Sequence, residues 1–153
     1  MKQTLLTETT EISPIRTVAE ITACLVNAGA TQIMSDYRDG EVAGLKWVMN
    51  VPKQGLRLFD MPARIEPVYQ ILISRRRDRH KLDVQMSVRD QAKRVAWRQL
   101  LRWVQAQIAM AQTGMVDFAE VFFPYLQLNS GATIYAAFRE NGQRLLAGPE
   151  NPQ

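Results

Sequence analysis

Between residues 75 and 102 the chain carries ten lysines and arginines (Arg75, Arg76, Arg77, Arg79, Lys81, Arg89, Lys93, Arg94, Arg98 and Arg102) against three acids, Asp78, Asp83 and Asp90. That stretch holds a local charge of +7, while the remaining nine bases and twelve acids leave the rest at −3. A basic stripe on a slightly acidic body is the electrostatic footprint of an anionic partner. The stripe has two parts. Arg75, Arg76, Arg77, Arg79 and Lys81 form a run. Arg94, Arg98 and Arg102 recur every fourth residue, and with Gln91 and Gln105 they fall within about 80° on one helix face. Like charges at that spacing repel by about 0.2–0.5 kcal/mol per pair, and no acid is interleaved to relieve them. A bound anion would offset the repulsion; so would acids brought from elsewhere in the fold, such as Asp36, Asp39, Glu41 or Glu120. These eight cations are the expected contacts to the phosphates of a nucleic acid. Phosphates position a protein without reading bases, so little sequence preference is expected. Part of the run has a structural explanation as well, because cations favour the C-terminal end of a helix dipole.

Other chemistries fit less well. A helix, three antiparallel strands and a helix open the restriction-endonuclease fold, which sets Asp and (Asp/Glu)-x-Lys on adjacent strands to hold Mg²⁺. Asp36, Glu41 and Asp60 fall at strand ends and Lys46 on the second strand. The third strand, Gly55-Leu56-Arg57-Leu58-Phe59-Asp60, has no acid two residues before a lysine. His80, the single histidine, lies in Arg-Arg-Arg-Asp-Arg-His-Lys with no nucleophile in an elbow context, and reads as a solvated loop residue. Cys24 is the single cysteine and reads as a small core residue; disulfides within the chain and Cys/His zinc cages are excluded. Gly40, Gly44 and Gly55 read as hairpin glycines, not as a phosphate loop. Trp97 and Trp103 could stack on unpaired bases, at about 1–3 kcal/mol per base, but the apolar face of their helix accounts for both. The expectation is a protein that is not an enzyme, with no cofactor and no metal.

The elements that must position the basic residues follow from caps, periods and turns. Residues 1–12 read as a flexible lead-in. Ser13-Pro14 opens a helix whose stripe is Val18, Ile21, Leu25 and Ala28, stopped by Gly29. Strands are expected over 31–37, 42–51 and 56–61, joined by turns at Asp39-Gly40 and at Pro52-Lys53-Gln54-Gly55. A helix from Pro67, with Val68, Ile71 and Leu72 on one face, ends in the arginine run. A connector over 78–86 leads to Ser87, which with Asp90 resembles a capping box and opens the longest helix, to about Thr113. Asp117 and Glu120 start a short helix that Pro124 ends. A last helix spans 133–141, and a disordered tail runs over 145–153. The fold class is α+β: a three-stranded antiparallel meander packed against helices in the order αβββααα plus a terminal helix, one domain over 13–144. Leu45, Trp47, Leu100, Leu101 and Val104 are expected in one core.

With 153 residues, 46% hydrophobic and 22% charged, the chain has ordinary globular composition, and wholesale disorder is excluded. The N-terminus turns polar before a signal-peptide apolar region forms, and no run approaches the roughly 18 apolar residues of a membrane span. A cytoplasmic protein with no membrane partner is expected; the oligomeric state is left open.

The run Ala96-Trp97-Arg98-Gln99-Leu100-Leu101-Arg102-Trp103-Val104-Gln105-Ala106-Gln107, followed by Gly114-Met115-Val116 and Glu120-Val121-Phe122-Phe123-Pro124-Tyr125-Leu126, resembles small proteins that recur in bacteriophage, prophage and other mobile-element genomes. Gly29-Ala30, Ile33-Met34, Tyr37 and Met61-Pro62-Ala63 resemble the same family, so that residues 14–140 or so are covered. The resemblance implies a setting, an accessory protein of a phage or mobile element, and carries over no functional residue. Two roles fit that setting: a binder of DNA or RNA, and an inhibitor or adaptor that binds a host protein such as a defence nuclease.

Overall fold

The computed structural model describes residues 4–144, Leu146 and Gly148. Its elements run α1 (Pro14–Asn27), β1 (Gln32–Arg38), β2 (Glu41–Val51), β3 (Gly55–Pro62), α2 (Ile65–Ser74), α3 (Leu82–Gln112), α4 (Phe118–Phe122) and α5 (Ile134–Asn141). This is the expected α+β order. The strands form one antiparallel sheet in the order β1-β2-β3. The tail expected over 145–153 lies, apart from Leu146 and Gly148, outside the described residues.

Local chemistry sets the boundaries. Ser13 Oγ accepts the Arg16 N–H at 3.3 Å, Pro14 fills the first helical position, and Thr17, Val18, Ile21 and Leu25 are buried. Asp39 and Gly40 both take positive φ, 51° and 78°, the pair of left-handed residues that a tight two-residue hairpin turn requires. Inward residues alternate along β2 (Leu45, Trp47, Met49), and across β3 they meet Met61 and Phe59. These side chains join Val18, Ile21 and Leu25 of α1, Trp97, Leu101, Val104 and Ile108 of α3, and Phe122 in the main core, with Leu100 and Cys24 half-buried against it. Trp47 stacks on Phe59 with ring centroids 5.4 Å apart, and Phe122 meets Trp47 and Trp103 edge-on at 5.5 and 5.2 Å. Trp97 is fully buried and Trp103 half-buried, so the aromatic side chains of α3 are occupied by packing.

Two expectations need correcting. The connector over 78–86 is absent beyond residue 81: α3 begins at Leu82, and Ser87 lies inside it, not at a cap. Val84, Val88 and Ala92 continue the apolar stripe upstream and bury themselves with Tyr69, flanked by Ile65, Val68 and Leu72 of α2. That packing holds five residues in helix that a local cap signal would have left out. α3 is therefore about 46 Å long, 31 residues at about 1.5 Å each. The second correction is Gly44, which lies within β2 and is buried; a Cβ there would meet the Met61 carbonyl oxygen at 3.0 Å. Within the lead-in, residues 6–10 run along α3: Gln91 donates to the Glu8 and Thr10 carbonyls at 2.8 and 3.0 Å, and Gln99 donates to that of Leu6 at 3.0 Å.

Candidate nucleic-acid interface

The eight expected phosphate contacts do not form one free surface. Arg98 is the clearest departure. Its Nη1 lies 3.0 Å from Glu20 Oε1 of α1, its side chain is 19% exposed, and it also reaches the Thr17 hydroxyl at 3.4 Å. α1 and the lead-in cover the Gln91–Arg98 part of the face that helical periodicity marks as opposite the core, and leave Arg102 and Gln105 exposed. Arg75 pairs with Glu8 at 2.7 Å, again with 19% of its side chain exposed. Arg94 Nε donates to Gln91 Oε1 at 2.9 Å, and Gln91 in turn holds the lead-in. The acids that relieve the arginines are therefore Glu20 and Glu8. Of the acids named from the sequence, Glu41 serves Lys93 instead, at 2.7 Å.

Arg75, Arg76 and Arg94 do come together. They line one open groove of about 440 Å³ between α2, α3 and the lead-in, with Glu8 on its wall. Arg76 is spoken for by Asp78 at 3.1 Å; that hydrogen bond holds the Asp78 carboxyl below its ordinary range, and nearby Lys81 adds to the effect.

Arg77, Arg79 and Lys81 behave differently. All three are exposed on the turn between α2 and α3, and among the described residues no carboxylate lies within 4 Å of any of them. His80 is exposed beside them. The turn ends at the α3 N-terminus, where Lys81 precedes the first helical residue and no side chain caps the free N–H groups. That end of the helix dipole favours anions, although Asp83 in the first turn works against a second negative charge. Arg102 is exposed and likewise without a carboxylate, but it lies on the order of 30 Å along α3 from Lys81. Arg89, which belongs to the same basic stretch, is taken up by Glu66 at 2.9 Å and by the Tyr69 ring, whose centroid is 3.8 Å from its guanidinium carbon.

A second charged cluster sits on the outer face of the sheet. Lys46 Nζ lies 3.2 Å from Asp36 and 3.8 Å from Asp60. Nothing local in the sequence brings these three residues together. Lys46 faces Asp60 because the β2–β3 hairpin is centred on Lys53. Asp36 joins them through a β-bulge: Asp36 pairs with Gly44 but Tyr37 with Val42, so Ala43 is the extra residue. One extra residue turns a strand over, and without it Asp36 would face inward. Two carboxylates around an ammonium are not a metal centre, and among the described residues no group of three or more His, Cys, Asp or Glu side chains is placed to hold a metal ion. Likewise, among the described residues no helix is long and apolar enough to cross a membrane.

No protein-family model, no curated protein and no solved structure matches this chain in comparisons of sequence and of fold.

Proposed function

We propose that the protein binds the phosphate backbone of nucleic acid without catalysing a reaction on it, as an accessory protein in the mobile-element setting its sequence resembles, and that the turn between α2 and α3 is the contact. The observation that carries this reading is the difference in pairing within one basic stretch: Arg77, Arg79 and Lys81 stand exposed and, among the described residues, make no ion pair within 4 Å, while Asp78 between them is taken by Arg76, and Arg75 and Arg98 are paired. Unpaired cations on a turn are free to exchange water and counterions for phosphate oxygens, and Arg does so with a planar fork suited to them. Arg102 and Arg94 extend the contact along α3; Arg75 and Arg98 hold the fold and contribute little.

Fluorescence anisotropy with labelled single-stranded and duplex oligonucleotides, titrated with salt, tests it. Three phosphate contacts give a log–log salt slope of about −2.1 on single strands and −2.7 on duplex, and the R77Q/R79Q/K81Q variant abolishes most of it. Salt-insensitive binding, or an unchanged slope in the variant, rules the turn out.

A protein partner is the second reading, favoured by one feature. Ile15 and Tyr37, 77% and 65% exposed, flank a cleft of about 340 Å³ whose walls include Val18, Val42 and Trp97. Binding of a stoichiometric host protein that survives nuclease treatment and is lost in an I15S/Y37S variant would favour this reading over the first.

A further inference from the structure

We propose that the cleft between the outer face of the sheet and α5 is a binding site for a phosphate monoester attached to a base, the chemistry shared by a free nucleotide and by the phosphorylated end of a nucleic-acid chain. The cleft encloses about 350 Å³ and draws cations from separate parts of the chain: Arg38 at the end of β1, Arg64 ahead of α2, Arg139 on α5 and Lys46 on β2. Lys46 is spent on Asp36 and Asp60, at 3.2 and 3.8 Å, and fixes both carboxylates. Among the described residues no carboxylate lies within 4 Å of Arg38, Arg64 or Arg139. With four cations and two acids on its walls, the cleft carries a net charge of +2. Three unpaired guanidinium groups facing one cavity repel one another, and a dianion relieves that repulsion. Arg is the side chain whose donor geometry matches phosphate in two places at once.

The rest of the cavity suits the organic part of such a ligand. Gly44 leaves the floor bare where a Cβ would already press on the Met61 carbonyl at 3.0 Å. Tyr135, 41% exposed, offers a ring on the wall, with the Arg64 guanidinium 5.7 Å from its centroid, so that a base could stack beside the cation. The first turn of α5 also lines the cavity and turns its positive dipole end toward it; Thr133 Oγ1 caps it by accepting the Ala136 N–H at 3.2 Å. A volume of this size matches one small ligand, not a continuous backbone. Burial raises the Asp60 carboxyl above its ordinary value, partly countered by Lys46 and reinforced by Asp36, which lessens the repulsion of an anion as pH falls.

The sequence hides this site because its residues are spread from 36 to 139 and meet only through the bulge at Ala43 in β2 and the segment after α4. There the Gln127 N–H donates to the Leu58 carbonyl at 2.8 Å and pairs the chain to the free edge of β3, which brings α5 alongside.

The test is calorimetric titration of the R77Q/R79Q/K81Q protein, which removes the turn as a competing contact and makes failure here separable from failure of the backbone-binding reading. Adenosine 5′-monophosphate, adenosine, and a hexanucleotide with and without a 5′-phosphate are the probes. Saturable 1:1 binding of the monophosphate at least about tenfold tighter than adenosine is expected, and R64Q and R139Q each weaken it about tenfold or more while the melting temperature stays put. A hexanucleotide that gains a similar factor from its 5′-phosphate, through the same two arginines, identifies a chain end as the source; binding of the free nucleotide alone identifies the other. Equal affinity for adenosine, no saturation by either phosphorylated probe up to about 5 mM, or affinities indifferent to both arginine variants would overturn the site.

Discussion

The turn between α2 and α3 and the middle of α3 belong to one basic stretch and present their cations differently. On the turn, Arg77, Arg79 and Lys81 face solvent and, among the described residues, make no ion pair within 4 Å, Asp78 between them being held by Arg76. In the middle of α3, Arg98 is four-fifths covered and bound to Glu20; Arg75, at the end of α2, is bound in the same way to Glu8 where the lead-in passes. A guanidinium that is covered and paired is a structural cross-link whose removal strands a carboxylate; one that is exposed and unpaired is surface charge, nearly neutral for folding. The difference is between charge written in a chain and charge presented by it. Helical spacing tells where an arginine points but not what the neighbouring element brings to meet it.

Exchanging glutamine for arginine in the two places separates the uses, and the largest effects belong to paired triple and double variants. R77Q/R79Q/K81Q should lose about a hundredfold in affinity for single strands at 0.1 M salt, the consequence of three phosphate contacts at a slope of about 0.7 each. Its stability should stay within about 0.5 kcal/mol of the parent. R75Q/R98Q should do the reverse. Glu8 and Glu20 each lose a close ion pair, though Glu8 Oε2 still accepts the Leu5 N–H at 2.9 Å and Glu20 still meets Arg16 at 3.7 Å, so the cost is about 1–2 kcal/mol in total and the melting temperature falls by roughly 2–8 °C. Oligonucleotide affinity of the folded fraction should barely move. Anisotropy and thermal melts on both proteins check this; a loss of binding shared equally between them would mean that the distinction between paired and unpaired arginines has no functional content.

How far the sequence reached can be argued from particular residues. Ser13-Pro14, Asp39-Gly40 and the alternation Leu45, Trp47, Met49 are local signals with local causes, and the elements they predict are present. At the start of α3 two local signals compete. Ser87 with Asp90 has the form of a cap, while Val84, Val88 and Ala92 have the spacing of a buried stripe, and only the presence of α2 across from them decides in favour of the stripe. The site was harder. Glu20 lies on α1 and Glu8 ahead of it, and nothing local says that either reaches α3, since ion pairs 67 and 78 residues apart in sequence are products of packing. The outer-sheet cluster was hidden by a single residue: Ala43, extra in the β1–β2 ladder, turns Asp36 to the side of Lys46.

A finer comparison within α3 uses single residues. Arg98 and Arg102 are one helical turn apart, and the sequence treats them alike. R98Q should cost about 1 kcal/mol, because Glu20 keeps only a third of its surface in water and loses the closer of its two ion pairs, retaining Arg16 at 3.7 Å. R102Q should fall within about 0.5 kcal/mol, as exposed substitutions without partners do. In a double-mutant cycle, R98Q and E20Q should be coupled by about 1 kcal/mol, whereas R102Q and E20Q should simply add. Denaturant melts at constant m-value are the measurement. Coupling to Glu20 that is equal for both arginines would place the cross-link wrongly.

The smallest expected effect sets an exposed pair on the helices against the cluster on the sheet, through pH. Glu66 is held below its ordinary value of 4.5 chiefly by its hydrogen bond from Arg89, with a further one from Gln70. A carboxylate lowered in the folded state contributes stability above its unfolded value, and that contribution is lost as pH falls through the lowered one. Because Glu66 is solvent-exposed, E66Q should change stability at pH 7 by no more than about 0.5 kcal/mol, with the gap to the parent closing below about pH 4. Asp60 has the opposite sign. Burial raises it above 3.8, so its favourable term is present below that value and is lost as pH rises through the raised one. Taken from pH 3 to pH 7, the parent should therefore gain stability relative to E66Q and lose it relative to D60N. Chemical denaturation of the three proteins across that range reads both slopes, and slopes of the same sign would show that Asp60 is not held by burial in the way its place beneath Lys46 implies.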